Sequence, residues 1–118
     1  MYGKFEQIKN KILGKDFDLS VSILNPKNSL KLNRKQRKQN YIPNTLSFKY
    51  SPNSGEIILT PEIILKENYE GVDTSLENKI IYLFIHSCLH LTDLDHGTKM
   101  DKLENKYIAL FLPFRRGG

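Results

Sequence analysis

All three histidines of this 118-residue chain fall within eleven residues, in the segment HSCLHLTDLDH at 86–96. Their spacing, H-x3-H-x5-H, lies at the end of the most apolar stretch of the chain. There Leu76, Ile80, Leu83, Phe84 and Ile85 recur at helical spacing and give a wide apolar face, as a central buried helix requires. On that helix His86 and His90 share a face one turn apart. Were the helix to continue, His96 would lie about 15 Å from His86 along the axis. That is too far to share an ion whose Zn–N bonds are about 2 Å. The chain must therefore turn after about Leu91 and bring His96 back. Asp93 and Asp95 suit such a turn, because Asp tolerates tight and even left-handed geometry.

Three imidazoles from a helix and the turn after it leave a fourth coordination position open, the arrangement of a catalytic zinc. Such an ion makes hydroxide available near neutral pH and stabilises charge on a carbonyl or phosphoryl oxygen. Helix geometry turns Cys88 away from the His86/His90 face, so it reads as a buried structural thiol. Asp93 and Asp95 either orient a ligand imidazole or simply make the turn; the spacing allows both. The spacing also fits the start of the metzincin motif H-E-x-x-H-x-x-G-x-x-H. Its general-base Glu is Ser87 here and its Gly is Asp93, so ordinary peptide hydrolysis by that scheme would lack its base.

The rest of the chain predicts an α+β domain with a small three- to four-stranded sheet covered by helices. Phe5, Ile8, Ile12 and Leu13 predict a first helix over 2–13, with Gly14 as its C-terminal glycine. DFDLSVSIL alternates, placing Phe17, Leu19, Val21 and Ile23 on one face of a strand. Asn25-Pro26 breaks it, and Asn28 or Ser29 caps a short basic helix through about Gln36. TLSFKY, the turn SPNSG and GEIILT predict a β-hairpin over 45–60. Thr60 caps a brief helix with Pro61 at its first position. Thr74-Ser75-Leu76-Glu77 matches a capping box that opens the central helix. A final helix starts near Thr98, carries Leu103, Tyr107, Leu110 and Phe111, and ends before Pro113; the tail beyond is expected to be loose.

Length fits one domain over 1–118. Cys88 is the only cysteine, which excludes a disulfide scaffold and points to a reducing compartment. No stretch approaches the roughly 20 apolar residues that span a bilayer, and no signal peptide is evident, so a cytoplasmic, membrane-free protein is expected. The net charge is a modest +5, but it is unevenly placed. Residues 1–53 carry eleven Lys/Arg against three Asp/Glu, whereas residues 54–118 carry seven against ten. The tightest cluster is Lys31, Arg34, Lys35, Arg37 and Lys38, with no acid among residues 28–40. Clustered cations suit a polyanion such as RNA, or form a solvated face.

Three blocks together resemble the YbeY family, bacterial rRNA maturation factors and endoribonucleases. In the family signature H-G-x-L-H-L-x-G-Y-D-H, His86, Leu89, His90, Leu91, Asp95 and His96 match, while Ser87, Asp93 and Leu94 depart. The family's L-N-x-x-Y-R followed by D/N-V-L-S-F is similar to Leu32-Asn33, Arg37 and Asn44-Thr45-Leu46-Ser47-Phe48. Its G-D/E-I-x-I resembles Gly55-Glu56-Ile57-Ile58-Leu59. The likeness covers roughly 17–112 and implies a shortened member with a zincin-like metal helix, lacking the family's first strand. It implies a single-strand-specific, zinc-dependent endoribonuclease. The expected role is processing of the small-subunit rRNA 3′ end and ribosome quality control, with the ribosomal small subunit and assembly factors as partners. His86, His90 and His96 carry over as ligands of one zinc ion, and Arg37 as the functional arginine, suited to bidentate phosphate pairing. Lys31, Arg34, Lys35, Lys38 and Ser47 are further candidates for RNA contact. Two other readings are a non-catalytic zinc-containing RNA-binding or ribosome-assembly factor, and a zinc metallopeptidase, which Ser87 disfavours.

Overall fold

Strand order, rather than strand number, decides where a cleft can form. In the computed structural model, which describes residues 2–94 and 97–112, three strands make one sheet. They are β1 (Asp18–Ile23), β2 (Thr45–Ser51) and β3 (Ser54–Leu59), in the order β1-β3-β2. β3 runs parallel to β1 and antiparallel to β2. The hairpin partner β2 is thus left at an edge. The described residues also form five helices: α1 (Tyr2–Ile12), α2 (Pro26–Arg37), α3 (Pro61–Lys66), α4 (Leu76–His90) and α5 (Thr98–Phe111). α4 packs on β2 and β3 and is flanked by α1, α3 and α5.

Central β3 reads GEIIL because both of its faces are covered. Ile57 and Leu59 join the main core with Phe5, Ile8, Ile81, Phe84 and Ile85. Ile58 and its cross-strand partner Leu46 are buried on the other face. Gly55 is needed where β2 and β3 meet: a Cβ there would sit 2.8 Å from the backbone oxygen of Phe48. Leu19 and Val21 of edge strand β1 are half-buried against the core. Ile23 does not share that burial; at the open end of the strand it is 56% exposed.

Several helix ends differ from their sequence expectation. α2 is capped by Asn25, whose side chain accepts from the Asn28 amide at 2.8 Å, with Pro26 in the first turn. The dipeptide that breaks the strand therefore also starts the helix. α4 is capped one residue later than the box predicts. Ser75 accepts from the Asn78 amide, and the Asn78 side chain donates to Asp73, so Glu77 takes no part. Thr60 precedes α3 without capping it, because its hydroxyl is engaged 2.6 Å from Ser29 Oγ in the interior. α1 ends as expected at Gly14, in the left-handed region at φ 94°. On α5, Met100, Ile108 and Phe111 are buried, but Leu110 is 55% exposed and belongs to the outer face. The expected tail beyond Pro113 lies outside the described residues. Among the described residues no helix is long and apolar enough to cross a membrane.

Candidate metal centre and cleft

The last turn of α4 presents its two histidines on the expected shared face. Their rings stand 4.4 Å apart at 75°, and His86 Nε2 and His90 Nε2 approach to 2.8 Å. Two imidazole nitrogens meet at that distance only when they share a proton or a cation. A tetrahedral shell with Zn–N bonds of about 2.0–2.1 Å would hold them roughly 3.3 Å apart, so a small opening of the pair fits the ion. His96, the expected third ligand, and Asp95 lie outside the described residues. Among the described residues no group of three His, Cys, Asp or Glu could hold a metal.

The other nitrogen of His86 is also engaged. Nδ1 lies 2.9 Å from Oε2 of Glu104 on α5. The His86 contact holds the Glu104 carboxyl below the usual carboxylate range. Glu104 meets the ring nitrogen remote from Nε2, so it cannot join His86 as a ligand of the same ion. Sequence reasoning missed this residue, although a signal exists. Glu104 is an acid in the apolar stripe formed by Met100, Leu103, Tyr107, Ile108 and Phe111. Cys88 is fully buried in the core, where desolvation pushes its thiol far above the ordinary range.

A cleft of about 720 Å³ opens beside the histidine pair. His86, Ser87 and His90 line it from α4, and Thr45, Ser47, Phe48 and Lys49 from edge strand β2. Gln36 and Arg37 line it from the end of α2. The structure thus brings Arg37, Ser47, His86 and His90 to one cleft. Buried Asn33 sets the end of α2. Its backbone oxygen accepts from the Lys38 and Gln39 amides, and its side chain donates to the Tyr41 carbonyl. Lys38 adopts φ 58° there, the one described non-glycine residue at positive φ. Asn44 at the cleft wall donates to Glu67 and Tyr69.

Lys31, Arg34, Lys35 and Lys38 are exposed along α2 and its end, outside the cleft lining. Arg34 Nε donates to Asn40 at 2.6 Å. Among the described residues none of these cations, nor Arg37, is paired with an acid. Asp93, whose sequence reading is either an orienter of a ligand imidazole or a turn residue, sits in the bend that follows α4. It pairs with Lys49 at 2.8 Å, joining the segment after α4 to β2. That pairing lowers the Asp93 carboxyl from its usual value.

Ser87, where the family signature has Gly, also has a structural partner. Its hydroxyl lies 3.1 Å from Thr45 Oγ1, where the resembling block has Val. The two departures supply each other with a hydrogen bond between α4 and β2. Ser87→Ala and Thr45→Val are each expected to cost about 1 kcal/mol, by stranding the other hydroxyl. The double variant should lose less than the sum of the two in urea unfolding. Strict additivity would show the hydroxyls to be independent.

Comparison with known proteins agrees on one family. The family model described as Endoribonuclease YbeY matches residues 3–109. A Buchnera aphidicola protein named Endoribonuclease YbeY is 33% identical, covering 95% of this chain and 79% of that protein. Proteins of the same name from Colwellia psychrerythraea and Pelagibacter ubique are 30% and 33% identical. This chain spans just under two thirds of each, 65% in both cases. The solution structure of TM1509 from Thermotoga maritima superposes with a TM-score of 0.67 at 24% identity, covering 95% of this chain and 79% of that one.

Proposed function

Because the chain belongs to the YbeY family of endoribonucleases, we propose that it is a single-strand-specific, zinc-dependent endoribonuclease acting on ribosomal RNA. Its work is maturation of the small-subunit rRNA 3′ end and ribosome quality control, in the cytoplasm with the small subunit as partner. The observation that carries the reading is the shared cleft: Arg37 and the His86/His90 pair line one cavity.

His86, His90 and His96 would hold the ion. Bound there, zinc supplies Lewis acidity toward a phosphoryl oxygen. Arg37 binds the scissile phosphate through its planar donor fork and stabilises the charge that builds in the transition state. Ser47 offers a hydroxyl to the substrate from β2. Lys31, Arg34, Lys35 and Lys38 hold the flanking backbone, which makes binding strongly salt-dependent. An A-form duplex hides its bases in a deep, narrow groove, whereas a single strand can lay its phosphates into such a cleft.

The test is cleavage of single-stranded RNA by zinc-loaded protein. Chelation should abolish cleavage and zinc should restore it. Arg37→Ala should lower kcat by on the order of 10²–10³-fold with zinc content unchanged. RNA binding without cleavage under all these conditions would instead favour a non-catalytic assembly factor.

A further inference from the structure

We propose that Glu104 is the positioning residue of the metal centre: it fixes His86 in the tautomer whose Nε2 lone pair faces the cleft. The inference rests on the reading of His86 as a metal ligand. Glu104 is only 17% exposed and interrupts the apolar stripe of α5. A carboxylate in such a place needs a partner. Its hydrogen-bond partner among the described residues is His86 Nδ1, at 2.9 Å and eighteen residues away.

A carboxylate can only accept. The neutral His86 ring must therefore carry its proton on Nδ1 and leave Nε2 bare. In the 2.8 Å contact between the two Nε2 atoms, His86 is then the acceptor and His90 the donor. Without Glu104 the His86 proton is free to sit on Nε2, where it blocks the position a cation needs. Glu104 also fixes the ring plane from a second helix. The tautomer of a ligand imidazole is set by the bond its other nitrogen makes, and loss of that bond typically costs 10–100-fold in metal affinity.

The experiment compares wild-type protein with Glu104→Ala and Glu104→Gln at about pH 8, where an ordinary histidine is neutral. Long-range 1H–15N correlation spectra of the metal-free proteins read the His86 tautomer directly. Wild type should show the Nδ1–H form, and Glu104→Ala should lose it. Zinc affinity, read by competition with a chromophoric chelator, should fall 10–100-fold in Glu104→Ala. Glu104→Gln, whose amide oxygen still accepts, should keep the tautomer and recover most of the affinity. An unchanged His86 tautomer in Glu104→Ala overturns the proposal, as does a Gln variant as weak as the Ala variant despite the right tautomer. Should wild type itself bind no zinc, the metal reading fails, while the metal-free spectra still decide what Glu104 does to His86.

Discussion

Replacing His90 with alanine is expected to remove zinc binding and RNA cleavage together while leaving the apo fold in place. His90 is exposed at the last position of α4, so its truncation leaves no cavity. Alanine is the best helix former, which further protects the helix. What is lost is one of two imidazole nitrogens that converge to 2.8 Å. Removing a metal's charge stabilisation amounts to several kcal/mol, on the order of 10³-fold in rate. Zinc content by metal analysis, cleavage by gel assay and apo unfolding by urea give the three readouts. Full zinc content with full cleavage would show that the centre lies elsewhere. His86→Ala should have the same effect on cleavage but a larger one on stability, because it strands the largely buried Glu104 carboxylate.

The helices and the hairpin were legible because each carries a periodic apolar pattern with turn chemistry at its ends. The clearest case is α4, where period and position agree from Leu76 to Leu89. The capping box points to Thr74 while the structure uses Ser75, because both are competent and the choice depends on which amide each can reach. Thr60 shows the converse. Its hydroxyl suits a cap, but burial next to Ser29 gives it a stronger partner 31 residues away. Such competition between local and distant partners is invisible along the chain.

In the site, His86 and His90 were legible because their relation is local, fixed by four residues of helix. Ser87 and Asp93 looked like defects in a motif, since their compensating partners Thr45 and Lys49 come from β2, 42 and 44 residues away. Glu104 escaped for the same reason. An acid in an apolar stripe marks a required partner, but its identity depends on how α5 packs against α4. Arg37 entered through family likeness rather than spacing. Its place in the cleft depends on the buried Asn33 and the reversal at Lys38, neither of which its own neighbourhood announces.

Phe84→Ala should be the most destabilising single change in the core. Phe84 is fully buried at the middle of α4, and its ring stacks on Phe5 of α1 with centroids 4.3 Å apart. Truncation removes both the area and the stack and leaves a cavity, about 3–5 kcal/mol for a site of this kind. A domain of this size has a total stability on the order of 10 kcal/mol, so the melting temperature should fall by roughly 10–25 °C. The loss reaches the cleft directly, because Phe84 lies two residues before His86 on the same helix. On the proposed reading, in which the folded histidine site takes zinc and the unfolded chain does not, zinc at about 100 times its dissociation constant should return roughly 2.7 kcal/mol to the variant. Combining Phe84→Ala with His90→Ala should abolish that recovery. Thermal unfolding with and without zinc measures all three values. A loss under 1 kcal/mol would show that α1 and α4 are held together by contacts other than this ring pair.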